Sequence, residues 1–181
     1  MTTTTKTILK TFGVEFKKLK FINFMSFGNV WTEVDLSDPG TTTLLIGENV
    51  DSGASSGAGK STLINAISFA LYDKIPSGVS KDKLINRTND KKNTQMEVSL
   101  EFCVEEDTYI VRRFRGASTG VQLLQNGTDI TPASVNRGED SFNAKIEDIV
   151  GFSFNLFSQV ILFNGNSVPF LGLSVGAQRD L

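Results

Sequence analysis

The chain has 181 residues, of which 39% are hydrophobic, and a formal net charge of −2. This length and composition are ordinary for one globular domain with its own core. Because it has no histidine and only one cysteine, Cys103, the chain cannot by itself form a Ser-His-Asp triad, a histidine metal site or an internal disulfide.

Three segments before the first glycine-rich loop have the patterns of β-strands. Residues 1–12 are threonine-rich and predict a disordered tail, so we expect one folded domain over residues 13–181. Loose alternation or a short β-rich apolar run predicts strands over residues 14–24, 31–36 and 41–46. The last of these is expected to be buried, because it is apolar throughout its second half.

Helical spacing predicts an amphipathic helix over residues 60–72. Its apolar residues recur every three or four positions: Leu63, Ile64, Ile67, Ala70 and Leu71. A glycine-rich loop over residues 47–59 precedes the helix. Pro76 and Gly78 are expected to end the helix. The order is therefore strand, glycine-rich loop and helix.

The middle of the sequence predicts an antiparallel meander. Residues 95–104 alternate cleanly, with one apolar face: Met96, Val98, Leu100, Phe102 and Val104. A turn over residues 105–107 leads to a returning strand over residues 109–114. Asn126-Gly127 is a strong hairpin signal between strands over residues 121–125 and 129–131. Cys103 falls in the alternating strand, and we interpret it as a small buried hydrophobe.

After the meander, apolar residues predict a helix and a second buried segment. Phe142, Ile146, Ile149 and Val150 indicate a helix that Gly151 ends with a left-handed cap. Residues 154–163 are strongly apolar, which predicts either a buried helix or a buried strand.

The glycine-rich loop and the helix after it predict a phosphate-binding loop, or P-loop. Several backbone N–H groups must approach the polyphosphate oxygens closely, and a Cβ would obstruct them, which explains Gly57 and Gly59. The helix N-terminus adds unsatisfied donors and a partial positive charge. We predict that the following residues bind the phosphates of ATP: Gly57, Ala58, Gly59, Lys60, Ser61 and Thr62.

Lys60 and Ser61 carry the side chains that this chemistry needs. Lys60 is the predicted catalytic cation, because it can reach the β and γ phosphates as a point charge. The Ser61 hydroxyl is a predicted Mg²⁺ ligand, because Mg²⁺ prefers oxygen. The strict pattern places its first glycine at Ala54, so a flexible Gly/Ser/Ala linker is the alternative. The preceding strand and the following helix favour the P-loop.

The second half of a hydrolytic site is missing from the sequence. P-loop enzymes hold Mg²⁺ or position water with an acidic residue at the end of a second apolar strand. After Lys60, no run of four apolar residues ends in Asp or Glu. We therefore expect the chain to bind a nucleotide but not to hydrolyse it alone.

Basic residues cluster in three segments. They are Lys6, Lys10, Lys17, Lys18 and Lys20; Lys81, Lys83, Arg87, Lys91 and Lys92; and Arg112, Arg113 and Arg115. Each segment either contacts a DNA backbone or is part of a solvated surface of mixed charge. The second segment is our first candidate for DNA contact.

Two stretches resemble the SMC-like repair ATPases. One is residues 19–28, LKFINFMSFG, and the other joins residues 45–49, LIGEN, to residues 57–67, GAGKSTLINAI. The resemblance covers about residues 14–181 and includes Leu84-Ile85-Asn86, Gly165, residues 169–171 and Gln178-Arg179. It is closest to the SbcC-type ATPase subunit of recombination endonucleases in its T-even-type phage form, where the insertion over residues 48–56 is typical.

The resemblance implies an α/β fold, namely a P-loop NTPase in the form of the N-terminal lobe of an ABC/SMC-like head with an antiparallel β meander. In the family, a long coiled coil leads to a C-terminal lobe that brings the signature motif, the magnesium-binding aspartate and the catalytic glutamate. We expect this C-terminal lobe to be absent from the chain. Two heads enclose two ATP molecules, and their closure controls a metal-dependent nuclease subunit that processes DNA ends. The implied partners are DNA, the nuclease subunit, the C-terminal lobe and a second head, and the implied cofactors are ATP and Mg²⁺.

The resemblance also assigns two positions at which this chain departs from the family. The glutamine that contacts Mg²⁺ and the attacking water aligns with Asn164, one methylene shorter, and Gln159 is a less favoured substitute. Asn164 is therefore a predicted metal-binding and catalytic residue, with a turn residue beside Gly165 as the alternative. Met25 stands where the family often has a basic residue near the nucleotide, and it is more simply interpreted as a packing residue.

Three other functions remain open on the sequence alone. The chain can be an SMC-type or RecF/RecN-type DNA-binding ATPase without a nuclease partner, a small P-loop kinase, or a stand-alone nucleotide-binding module. The N-terminus lacks the apolar run of a signal peptide, and no apolar stretch reaches the ~20 residues of a membrane span. We expect no membrane partner and a cytoplasmic location, in the host cytoplasm if a phage encodes the chain.

Overall fold

A computed structural model describes residues 13–37, 46–48, 59–76, 78–88, 94–133 and 140–161. The strands are β1 (Val14–Ile22), β2 (Thr32–Asp35), β3 (Gln95–Val104), β4 (Asp107–Gly116), β5 (Gly120–Gln125) and β6 (Thr128–Asp129). The helices are α1 (Lys60–Tyr72), α2 (Asp140–Val150) and the single turn α3 (Phe154–Leu156). A 3-10 helix spans Lys81–Leu84, and a π-helical turn spans Phe157–Ile161.

The strands form one six-stranded antiparallel sheet in the order β2-β1-β3-β4-β5-β6. The register places Leu19 opposite Leu100 and Leu100 opposite Val111, so apolar residues of neighbouring strands share one face. The meander predicted for the middle of the chain is therefore confirmed, and β1 and β2 extend it at one edge. The opposite face carries Lys18, Glu33 and Arg112, as expected for an antiparallel sheet with one solvated side.

The helix α1 covers the apolar face of the sheet. It packs on β3, β4 and β1, and α2 packs beside it. Phe69 and Leu71 of α1 are buried against this face with Phe21 of β1 and Val98 of β3. Burying each such side chain contributes about 1.5–3 kcal/mol, so this layer is the main source of stability.

The bounds predicted for α1 are confirmed, but its buried residues differ from the apolar set that the spacing indicated. Ala66, Phe69 and Tyr72 are buried, whereas Ile64 is 37% exposed. Residues beyond the predicted apolar set are buried because the second half of α1 is enclosed by the sheet on one side and by α2 and Phe157 on another. The helix ends before Pro76, at Asp73, which is left-handed and donates its N–H to the Phe69 carbonyl at 2.9 Å.

Both predicted left-handed turns are present. Asn126 and Gly127 have φ angles of 50° and 82°, which suit the tight hairpin between β5 and β6. Gly151 has φ 81° and donates its N–H to the Glu147 carbonyl at 2.8 Å, so it ends α2 as expected. In the segment predicted over residues 154–163, residues 154–161 are helical rather than extended, and the last two lie outside the described residues.

Several smaller predictions were wrong. β1 ends at Ile22 instead of residue 24, because Asn23 and Met25 take left-handed conformations. Asp107 belongs to β4, and β6 ends at Asp129, where its register with β5 stops. Cys103 is only half-buried, because it alternates with buried Phe102 and faces Thr108, with its Sγ 3.5 Å from the Thr108 Oγ1.

Other predictions fall partly or wholly outside the described residues. These are the tail over residues 1–12 and most of the strand over residues 41–46. Ile46, the described end of that strand, is 80% exposed and lies in no strand, contrary to the expected burial. It lies where the glycine-rich loop begins, and no described element covers it. Among the described helices, none is long and apolar enough to cross a membrane.

Candidate functional site: a phosphate loop at the start of α1

The predicted phosphate-binding residues that the structure describes lie at the N-terminus of α1. Lys60 is the first helical residue and is half-buried, whereas Ser61 is exposed. Thr62 is buried and donates its N–H to the Gly59 carbonyl at 3.0 Å. Gly57 and Ala58 lie outside the described residues. The structure therefore places Gly59, Lys60, Ser61 and Thr62 together, in a single helical turn.

This helix terminus is suited to an anion. Gly59 occupies the N-cap position, and within the described part of the chain no side chain caps the helix and no acidic residue lies in its first turn. Most helices satisfy their first N–H groups with a Ser, Thr, Asp or Asn side chain. An N-terminus without such a cap, in a sequence that provides lysine and serine immediately after it, leaves its dipole available to phosphate oxygens.

Gly59 has two separate reasons to be glycine. Its φ of 83° is left-handed, which costs a residue with a Cβ roughly 1 kcal/mol or more. A Cβ would also lie 2.7 Å from Cε2 and 2.8 Å from Cζ of Phe27. The ring of Phe27 therefore occupies the space beside the last glycine of the loop.

Phe27 belongs to the turn after β1, which we call the β1 turn, residues 23–28. Met25 donates its N–H to the Leu84 carbonyl at 2.7 Å. Asn86 donates its N–H to the Asn23 carbonyl at 2.8 Å and its Nδ2 to the Met25 carbonyl at 3.0 Å. The first half of the β1 turn is thus bound to residues 84–86, where the 3-10 helix ends.

Met25 lies beside α1, as its packing interpretation requires. Its Sδ is 3.5 Å from the Asn65 Nδ2, one helical turn after Lys60, and its side chain is half-buried against the core. The position is therefore near the start of α1 but brings no charge to it.

Lysines of the first basic segment are paired with acids on the solvated face of the sheet. Lys18 and Lys20 both contact Glu33, at 3.0 and 2.7 Å, and Lys17 contacts Glu15 at 2.6 Å. Lys6 and Lys10 lie outside the described residues. The described lysines therefore form the mixed-charge surface that was the alternative to DNA contact.

The third basic segment serves the fold. Arg113 is only 1% exposed and donates hydrogen bonds to the carbonyl oxygens of Ala70 and Leu71 at the end of α1. Arg112 pairs with Glu97 at 2.7 Å, and the Nη2 of Arg115 lies 3.8 Å from the buried Asp73 carboxylate. The three arginines do not form one DNA-contacting cluster, because their side chains point to different sides of the sheet.

The second basic segment has exposed basic side chains. Lys83 and Arg87 are exposed, and Lys81 is half-buried and pairs with the carboxylate of Asp73. Lys91 and Lys92 lie outside the described residues. This segment directly flanks residues 84–86, which hold the β1 turn.

Asn164 lies outside the described residues, and its predicted role therefore stays a prediction. Gln159 is in the π-helical turn, and its Oε1 is buried and accepts no hydrogen bond within the described part of the chain. Phe27 and Asn86 had no assigned role of their own in the sequence analysis. Arg113 was expected either to contact DNA or to be solvated, and its burial shows that both alternatives were wrong for this residue. Their contacts join segments distant in the sequence, so no local pattern indicated them.

Comparisons with known proteins identify the family. A family model described as an AAA domain matches residues 18–167. Exonuclease subunit 2 of Enterobacteria phage T4 is 34% identical over 166 residues, which cover 91% of this chain and 27% of that protein. The DNA double-strand break repair Rad50 ATPase of Sulfolobus acidocaldarius is 27% identical over 154 residues, covering 84% of this chain and 16% of that protein. The chain thus spans about a quarter or less of the length of these relatives.

The fold has a counterpart among solved structures. A structure from work on ATP-driven dimerization and DNA-stimulated activation of SMC ATPases superposes with a TM-score of 0.59 at 22% identity, covering 91% of this chain and 95% of that one. This likeness confirms the predicted SMC-type head fold with its antiparallel sheet. Because the AAA domain model matches most of the chain's length, the chain belongs to the AAA domain family. It is a homologue of phage exonuclease subunit 2 and of the Rad50 repair ATPases.

Proposed function

We propose that the chain is the ATP-binding lobe of a DNA repair and recombination endonuclease subunit, in which ATP binding and hydrolysis control DNA-end processing by a nuclease partner. The observation that carries the proposal is the N-terminus of α1, which no side chain of the described residues caps and where Gly59, Lys60 and Ser61 follow one another inside the region that matches the family. Residues 13–181 would form this lobe.

The residues present fit a magnesium nucleotide. Gly59 lets the backbone approach the phosphates, and Lys60 supplies a positive charge next to the helix dipole. Ser61 is exposed at the first turn and offers a hard oxygen ligand for Mg²⁺. Gly57 and Ala58 would continue the cradle. Bound Mg²⁺ would neutralise charge on the phosphate oxygens, and the chain's own role is to hold and orient the triphosphate.

The names of the relatives support the partners. The phage T4 relative is named as an exonuclease subunit, and the Sulfolobus relative as a break-repair ATPase. A further relative, from Deinococcus radiodurans, is named as part of the nuclease SbcCD. We therefore assign DNA, a metal-dependent nuclease subunit, a C-terminal lobe and a second ATP-bound head as partners. Among the basic segments, Lys83 and Arg87 are the described candidates for DNA contact, because their side chains are exposed.

Asn164 is our candidate for the amide that contacts Mg²⁺ and the attacking water. Gln159 is the alternative, because its buried Oε1 accepts no hydrogen bond from any described residue, and a buried acceptor of this kind needs a partner. A variant pair separates them. Asn164→Ala should reduce the gain in ATP affinity that Mg²⁺ provides while Gln159→Ala leaves that gain unchanged, and the reverse result would assign the role to Gln159.

A nucleotide titration tests the proposed function. The 181-residue chain should bind labelled ATP with Mg²⁺, and Lys60→Ala should abolish binding without lowering the unfolding temperature. Lys145→Ala, which replaces an exposed lysine of α2, is the matched control and should bind normally. Equal affinities for wild type and Lys60→Ala would refute the P-loop assignment.

A measurement of ATP hydrolysis by the same preparation tests whether the chain needs a C-terminal lobe for catalysis. We expect no ATP hydrolysis above background, because the acidic residues of hydrolysis would come from the C-terminal lobe. Steady hydrolysis that Lys60→Ala abolishes would show that the chain holds a complete site. Binding without turnover, together with failure to associate with any C-terminal lobe, would instead favour the stand-alone nucleotide-binding module.

A further inference from the structure

Phe27 connects the core of the sheet to the last glycine of the phosphate loop. Its ring packs edge-to-face on Phe21, with centroids 4.9 Å apart and planes at 88°. Phe21 is fully buried in β1, so this side of the Phe27 ring is anchored to the rigid core. Two atoms of the same ring, Cε2 and Cζ, lie 2.7 and 2.8 Å from the position that a Cβ of Gly59 would occupy.

The backbone that presents Phe27 is also constrained. Asn23 and Met25 are left-handed without being glycine, a conformation that asparagine tolerates but that methionine keeps only when surrounding contacts impose it. The hydrogen bonds from Asn86 and to Leu84 supply those contacts, and Phe27 donates its own N–H to the Phe24 carbonyl at 3.0 Å. The position of the ring is therefore fixed by the core and by the β1 turn, and Gly59 must adapt to it.

Gly59 is the residue through which the fixed position of Phe27 would affect nucleotide binding. It directly precedes Lys60, its carbonyl accepts the Thr62 N–H, and its φ of 83° sets the direction in which the chain enters α1. A change of that angle would move the first N–H groups of the helix and the origin of the Lys60 side chain together. Preorganised donors bind an anion more tightly than donors that must be ordered on binding.

We propose that Phe27 is a positioning residue for the start of α1: in contact with both Phe21 and Gly59, it keeps Gly59 left-handed and so presets the first helical turn for the triphosphate. The inference rests on the proposed function, because it presumes that the loop binds ATP. It goes beyond that function by assigning part of the affinity to a residue of the β1 turn that has no polar group to offer the ligand.

The first experiment compares ATP affinity with stability in matched variants. Phe27→Ala should weaken labelled-ATP binding by about tenfold or more, because the loop loses its preorganisation. Phe154→Ala is the control, since Phe154 is also a half-buried phenylalanine but packs on Tyr72 at the other end of α1. It should lower the unfolding temperature to a similar extent and leave the affinity unchanged. Phe27→Leu, which keeps an apolar body without the ring edge, should fold in any case and show an intermediate loss.

A double-mutant cycle tests the contact itself. Gly59→Ala in the wild-type background meets both the strained φ and the Phe27 ring, whereas in the Phe27→Ala background it meets the strained φ alone. The loss of affinity on Gly59→Ala should therefore be several-fold smaller when Phe27 is absent. The positioning role would be overturned if Gly59→Ala lowered ATP affinity equally in both backgrounds, or if neither Phe27→Ala nor Phe27→Leu changed the affinity. In either case Lys60→Ala would still abolish binding, so the proposed function would stand. A wild-type chain that binds no ATP would instead overturn the proposed function, and this inference with it.

Discussion

Arg113 of β4 donates a 2.7 Å hydrogen bond from its Nε to the carbonyl oxygen of Ala70, at the C-terminal end of α1. Its Nη2 donates to the Leu71 carbonyl at 2.9 Å and to the Asn143 Oδ1 of α2 at 2.7 Å, and its guanidinium lies 4.9 Å from the Phe142 ring centroid. The last carbonyl groups of a helix lack partners within the helix and carry partial negative charge. One buried cation thus satisfies the end of α1 and joins it to both the sheet and α2.

Arg113→Leu should lower the free energy of unfolding by about 2–4 kcal/mol, because it leaves buried carbonyl oxygens without donors. Arg112→Gln is the neighbouring control, since Arg112 lies on the solvated face and its pair with Glu97 is partly exposed. It should cost less than about 1 kcal/mol. Urea unfolding followed by circular dichroism measures both variants, and similar losses would contradict the difference in roles.

Ser61→Ala should reduce the magnesium dependence of nucleotide binding. We expect the ratio of ATP affinities with and without Mg²⁺ to fall by roughly tenfold, because the variant lacks the hydroxyl that would bind the ion. Titration of labelled ATP in Mg²⁺ and in EDTA gives this ratio. Ser80→Ala, which replaces an exposed serine whose side chain does not cap the 3-10 helix, should leave it unchanged. An unaltered ratio in Ser61→Ala would remove Ser61 from the metal site.

Lys83→Ala with Arg87→Ala should weaken binding to a short DNA duplex and reduce the salt slope by about 1 for each phosphate that is no longer neutralised. Lys18→Ala with Lys20→Ala should change the slope little, because Glu33 already pairs with both lysines. Fluorescence anisotropy at several salt concentrations measures the slopes. If the β1 lysines dominate the slope, DNA contacts the solvated face of the sheet instead.

The Glu33 carboxyl should have a lower pKa than an ordinary glutamate. Hydrogen bonds from Lys20 and then Lys18 favour its ionised form and lower its pKa. Because the pKa is lower in the folded chain than in the unfolded chain, the stabilisation is complete above the unfolded pKa and disappears as the pH falls through the folded one. Carbon-detected NMR titration should show this lowered pKa. Lys20→Ala should raise it toward the ordinary value, and an unshifted Glu33 would mean that solvent screens both pairs.

Much of the local structure could be predicted from the pattern of residues. The strict alternation of β3, the left-handed turn at Asn126-Gly127 and the extent of α1 were each confirmed, because each depends on residues adjacent in sequence. The role of the arginines in β4 could not be predicted, since Arg112 and Arg113 look alike in sequence. Their environments differ because alternate residues of a strand face opposite sides of the sheet.

The sequence by itself predicted the chemistry of the loop, because the expected need for Gly59, Lys60 and Ser61 follows from phosphate charge and backbone access. Only the tertiary structure decided what surrounds that loop. It placed Phe27, which is distant in the sequence, against Gly59. It also buried Arg113 of a basic segment, where this arginine supports the end of α1. Such contacts arise when the sheet and the helix pack together, and no local pattern of residues specifies them.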